Sequence, residues 1–155
     1  MSTKTGTMAA LHLQEDVLQK LKMIGYWVTT TAIVLEALAG GVTDLIHGPA
    51  FLFAGDPIVP VLRQLGYPVY LLTILGVWKL LGAVALLVPR FPRLKEWAYA
   101  GTFFVYTGAA ASWAAHSDIG DLIPPLTLAV LTLASWTLRP PGRTLGALRE
   151  SRAHA

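Results

Sequence analysis

The chain contains no cysteine. That absence excludes disulfides, thiolate metal sites, iron–sulfur clusters and dithiol redox chemistry, so any electron transfer needs a cofactor or a partner from outside. Charge is scarce as well: Asp, Glu, Lys and Arg make up 14% of the residues against a hydrophobic share of 54%, whereas soluble domains carry about 25% charged residues. The sequence has no Gly-rich dinucleotide loop, no HExxH pair and no histidine inside an apolar stretch. Nucleotide-binding folds, zinc-peptidase helices and bis-histidine haem sites therefore have no signature here. Linkers, repeats and low-complexity tracts are also lacking, and 155 residues leave room for one domain.

What the chain has in abundance is apolar sequence, gathered into four stretches at roughly residues 24–46, 68–88, 97–115 and 122–138. Each is close to the ~20 residues that a membrane helix needs, and each is apolar nearly all round, as expected where lipid is the outer solvent. The predicted fold is all-α, an integral membrane four-helix bundle over residues 23–139 with a basic cytoplasmic tail at 140–155. Residues 1–22 contain Glu15 and Asp16 and no apolar core, so they are not read as a cleavable signal peptide. Leu11, Val17, Leu18 and Leu21 at helical spacing predict an amphipathic helix on the membrane surface, leading into the first span.

Basic residues set the orientation. Lys20 and Lys22 precede the first span, Arg90, Arg93 and Lys95 link the second to the third, and Arg139, Arg143, Arg149 and Arg152 follow the fourth. The other connections are neutral to acidic, with Asp44, His47, Asp56 and Arg63, then His116, Asp118 and Asp121. The positive-inside rule puts both termini in the cytoplasm of a multi-pass cell-membrane protein. The net charge of +3 is membrane topology and not a nucleic-acid-binding face. Between Pro57 and Gly66, apolar Ile58, Val61, Leu62 and Leu65 predict a short helix on the outer face. Pro124 and Pro125 are expected in the first turn of the fourth span, where a missing amide hydrogen costs little.

Two ionisable residues lie inside the apolar stretches, Glu36 and Lys79. A charge at membrane depth costs at least ~2.5 kcal/mol, so such residues face a bundle interior and find a partner. Counting ~1.5 Å per residue brings the two to similar depth, which allows an ion pair. Such a pair can fix which helices meet and do nothing else, or it can form part of a ligand, proton or substrate site. Glu36, Gly40, Asp44 and His47 follow steps that share one helix face. With His116, Asp118 and Asp121, they form an outer polar group able to hydrogen-bond the head of a quinone or another lipophilic carbonyl compound. No tight ligand spacing supports a metal, and none is assigned. On the third span Tyr106 and Ser112 add polar contacts beside the small residues Gly101, Gly108 and Ala109, and Trp113 stands at the outer end. Glu36, Lys79 and His116 are thus the candidate catalytic residues, and Asp44, His47, Tyr106, Ser112 and Trp113 the candidate substrate contacts.

The runs Leu65-Gly66-Tyr67-Pro68-Val69-Tyr70-Leu71, Leu75-Gly76-Val77-Trp78-Lys79-Leu80-Leu81-Gly82-Ala83 and Pro92-Arg93-Leu94-Lys95-Glu96-Trp97-Ala98-Tyr99-Ala100-Gly101 resemble the DoxX-like family of small four-helix membrane proteins. Gly41-Val42-Thr43-Asp44-Leu45 and Gly108-Ala109 extend the resemblance, which runs from about Tyr26 to Pro140. It implies the bundle fold and a link to membrane oxidoreductase complexes, including a quinone-reducing thiosulfate oxidoreductase. Where many relatives carry Ser-His followed by Gly-Asp, this chain has Ser112-Trp113, with a histidine a turn later at His116. Two classes of function remain: a redox-associated subunit or enzyme acting on a quinone or similar lipophilic molecule, and a non-enzymatic assembly factor that binds a membrane protein partner or a second copy of itself. An open cavity around Glu36 and Lys79 would favour the first, a closed ion pair in a filled interior the second.

Overall fold

The structure, a computed structural model, describes residues 2–49, 57–89, 91–116 and 119–140. Asp56, Arg90, Asp118 and the tail beyond Pro140 lie outside the described residues. Five helices follow in order: α1 (Ser2–Ile46), α2 (Ile58–Gln64), α3 (Tyr70–Leu87), α4 (Pro92–Ala115) and α5 (Ile119–Thr137). No strand is present among the described residues. Of the four long helices, α1 lies against α3 and α5, and α4 lies against the same two.

The N-terminal segment runs on into the first long helix without a break. Ser2–Ile46 is one uninterrupted helix of 45 residues, about 68 Å long at ~1.5 Å per residue. Its one glycine near the expected junction, Gly25, is an isolated residue that a helix tolerates. A Cβ there would stand 3.0 Å from Leu138 Cδ1, so Gly25 admits the end of α5. At the other end of α1, Gly48 N–H donates to Thr43 O at 3.2 Å and His47 takes a left-handed φ of 53°. This is the Schellman stop, with histidine at the position glycine usually holds.

The short helix expected between Pro57 and Gly66 forms. Pro57 precedes α2, and Gly66, at φ 78°, ends it, with Gly66 N–H on Arg63 O and Tyr67 N–H on Leu62 O, each at 3.0 Å. Pro92 likewise opens α4, where no intrahelical donor is lost. The fourth long helix departs from expectation. Because Ile119, Gly120, Asp121, Leu122 and Ile123 are all free to turn helical, α5 begins at Ile119, and Pro124 and Pro125 fall inside it, beyond the first turn. Their missing amide hydrogens leave the carbonyls of Gly120 and Asp121 without the usual i+4 donor.

The helices meet through small residues where backbones come closest. A Cβ on Gly76 would stand 2.8 Å from Gly41 O, and one on Gly41 would stand 3.2 Å from Gly76 O, so α1 and α3 touch backbone to backbone. Ile33, Val34, Ala37, Ala83, Leu86 and Tyr99 form the main apolar core. Below it, towards the segments rich in Lys and Arg, the interior is polar: Ser135 Oγ hydrogen-bonds both Thr30 Oγ1 at 2.7 Å and Tyr99 Oη at 2.8 Å. Lys95, read from sequence as a loop charge, is buried at 1% exposure and donates to the Ala85 and Leu86 carbonyls at the end of α3. Arg139 joins α5 to α4 through Glu96 at 2.7 Å and stacks over Tyr99 and Trp136. Among the described residues, two helical segments, His12–Ile46 and Tyr70–Leu87, are long and apolar enough to cross a membrane.

Candidate functional site

Glu36, Gly40, Thr43 and Asp44 lie on consecutive turns of α1 and line one cavity wall. Lys79 reaches them from α3, placed by the Gly41 and Gly76 contact three residues before it. Its ammonium stands 3.0 Å from Asp44 Oδ2 and 3.7 Å from Glu36 Oε1. The expected Glu36–Lys79 pairing is present as an ionic contact, but the nearer carboxylate is Asp44, which the sequence placed with the outer histidines. The lysine's long stem lets it span two helical turns of α1, and that freedom cannot be read from depth alone. The Tyr106 hydroxyl donates to Glu36 Oε2 from α4, so three helices converge on the cluster. Glycine at position 40 makes the convergence possible: a Cβ there would stand 2.8 Å from Glu36 Oε1 and 3.0 Å from Lys79 Nζ.

Both carboxylates are nearly removed from solvent, Asp44 at 3% and Glu36 at 9% exposure. Two carboxyl groups against one ammonium is an uneven set. One balances Lys79, and the other is available to carry or release a proton, with the Tyr106 hydroxyl as its immediate neighbour.

The cluster is not closed. Glu36, Asp44, Lys79 and Tyr106 line a cavity of about 570 Å³, within the ~300–1,000 Å³ of small-molecule sites. Ser112 and Trp113 line it from α4, and Asp121, Pro124 and Pro125 from α5. Above it, Ile58, Val61 and Leu62 of α2 and Leu65 just past its end line the cavity, so the helix predicted for the outer face is a cover over it. Tyr67, which follows α2, hydrogen-bonds Ser112 Oγ at 2.8 Å and ties that cover to α4.

The two histidines stand apart from this arrangement. His47 is exposed at the Schellman stop, and His116 is exposed past the end of α4, with Nδ1 3.0 Å from Ser112 O; neither lines the cavity. The 44-to-47 step that puts His47 on the Asp44 face holds only while the helix continues, and the chain leaves the helix there. Asp121, grouped from the sequence with the outer polar residues, does line the cavity, whereas Pro124 and Pro125 beside it were expected only as helix-start residues, because nothing in their spacing says which helix α5 faces.

No curated protein and no solved structure matched the chain. The model of the DoxX-like family matches residues 28–135. That match spans α1 from Val28 through most of α5 and takes in every residue of the cavity named above, and the chain therefore belongs to the DoxX-like family.

Proposed function

We propose that this protein is an integral membrane protein of four spans, α1, α3, α4 and α5, that binds a lipophilic carbonyl compound of the quinone class in the cavity beneath α2. The bilayer placement is supported by the outward faces of all four helices. Leu35, Trp78, Phe104 and Val130 are exposed and apolar on α1, α3, α4 and α5 in turn, a distribution that lipid satisfies and water does not. Both termini lie in the cytoplasm by the basic-residue pattern, which turns α2 and the cavity mouth outward.

The observation that carries the ligand reading is that Glu36 and Lys79 border open space instead of a filled interior. A lone structural ion pair needs no cavity. Lys79 supplies a donor to a carbonyl oxygen, and Glu36, which accepts the Tyr106 hydroxyl on Oε2, stands beside it as the group that can hand over a proton. Reduction of a quinone takes two protons and two electrons. Glu36, the carboxyl not needed to balance Lys79, can pass these protons on one at a time, each replaced from water at the cavity mouth, while the electrons come from a donor protein outside this chain, which makes the protein a redox-associated subunit. On the cytoplasmic side the cluster is followed by the apolar core of Ile33, Val34, Ala37, Ala83 and Leu86.

The test is ligand-dependent thermal stability in mild detergent with a tail-less dimethoxy-methyl-benzoquinone. A rise in Tm that Glu36→Gln and Tyr106→Phe diminish, with both variants folded, supports the reading. No rise with this compound or with other lipophilic carbonyl compounds would refute it. One observation favours a partner-binding role instead: Leu13, Val17, Leu21 and Ile24 on the α1 extension are all exposed. Tight copurification with a second membrane protein, together with no ligand response, would decide for that role.

A further inference from the structure

A second cavity of about 420 Å³ lies between α3 and α4, walled by Trp78, Leu81, Leu94 and Trp97 and almost wholly apolar. Leu75, Lys79, Val105 and Tyr106 line both this groove and the polar cavity, so the two meet at the residues that carry the chemistry. Along the groove the helices present Gly82, Ala85, Ala98, Gly101 and Thr102. Small residues on facing helices ordinarily serve close approach, as Gly41 and Gly76 do. Here they do not. A Cβ on Gly101 would meet no atom within 4 Å, and one on Gly82 would meet only Thr102 Oγ1, at 3.9 Å. These glycines leave room that no side chain among the described residues fills. The walls Trp78 and Trp97 are 65% and 80% exposed, so the groove runs out to the lipid-facing surface.

We propose that the ligand carries a linear hydrocarbon chain, isoprenoid or acyl, which leaves the polar cavity between Leu75 and Val105 and lies in the α3–α4 groove with its far end in the bilayer. This rests on the head-group site proposed above. The groove gives that site a lateral route from the membrane that does not require α2 to lift or the Tyr67–Ser112 bond to break. It also sets a preference: a tailed ligand gains contacts along the groove that a bare ring cannot make.

The test compares the tail-less benzoquinone with decylubiquinone, the same ring bearing a decyl chain, on the full chain and on Gly101→Leu and Gly82→Leu. Both positions have open space for a side chain, so the variants should fold. Partitioning of the decyl chain into detergent is common to all three proteins and cancels in their ratio. A filled groove should raise the Kd for decylubiquinone on the order of tenfold and leave that of the bare ring unchanged. A decyl chain ending in a photoreactive diazirine should label α3 and α4. Unchanged decylubiquinone affinity in both variants, or labelling of α2 and α5 instead, would overturn the proposal and leave the groove to an ordinary membrane lipid. Equal losses for both compounds would also overturn it, since the substitutions would then act on the head-group site. No binding of the bare ring to the unaltered protein would remove the head-group site itself, a distinguishable failure.

Discussion

Lys79 holds two carboxylates at once, and the consequences of substitution are unequal for that reason. Lys79→Met leaves Glu36 and Asp44 buried with no cation and should cost about 3 kcal/mol. Glu36→Gln leaves Lys79 still 3.0 Å from Asp44 and should cost closer to about 1 kcal/mol, on the scale of one polar contact in a membrane bundle. Denaturation of the three proteins in one detergent checks the order; equal costs would mean that Asp44 does not share the lysine. At the Schellman stop, His47 occupies a left-handed conformation for which a side chain costs roughly 1 kcal/mol. His47→Gly should therefore raise stability by about that amount. Loss of stability would mean that the imidazole, exposed as it is, makes a contact of its own.

The glycines of α1 and α3 separate two kinds of constraint between elements. Gly76 faces the Gly41 carbonyl, which is backbone and cannot swing aside, so Gly76→Ala forces the helices apart and should cost about 2 kcal/mol. Gly40 faces only the ends of Glu36 and Lys79, which can move. Gly40→Ala should leave the fold almost intact and disturb the ion cluster, weakening ligand binding much more than it lowers Tm. Thermal unfolding and ligand titration on the two variants give opposite patterns if this distinction holds. At the far end of the bundle, Arg139 stands between Glu96, Tyr99 and Trp136 and Lys95 caps α3. Both couple the start of α4 to its neighbours by charge, at the end of the bundle opposite the cavity mouth.

For the whole molecule, the proposed arrangement turns the cavity mouth beneath α2 outward. The chain's lack of cysteine makes this simple to measure, since an introduced thiol is the only one present. Gln64→Cys, on the exposed face of α2, should react with a membrane-impermeant maleimide in intact cells, and Ser151→Cys should react only after permeabilisation. The reverse pattern would invert the orientation and with it the side from which the cavity is reached.

Composition alone made this chain helical and apolar, because stretches near ~20 residues with so little charge leave few other ways to satisfy a backbone. Local chemistry was equally legible: Pro57 and Gly66 bracket α2 as they read, and the 36-40-44 step puts Glu36, Gly40 and Asp44 on one wall because a helix has a fixed period. Where the period ended, so did the inference, and His47 left the face its spacing assigned. Asp44 as the nearer partner of Lys79, the burial of Lys95, the α5 wall of the cavity and the open space beside Gly82 and Gly101 were decided by tertiary structure. Each depends on how helices are rotated and how far apart they stand, and that is set by packing contacts such as Gly41 on Gly76 between residues distant in sequence.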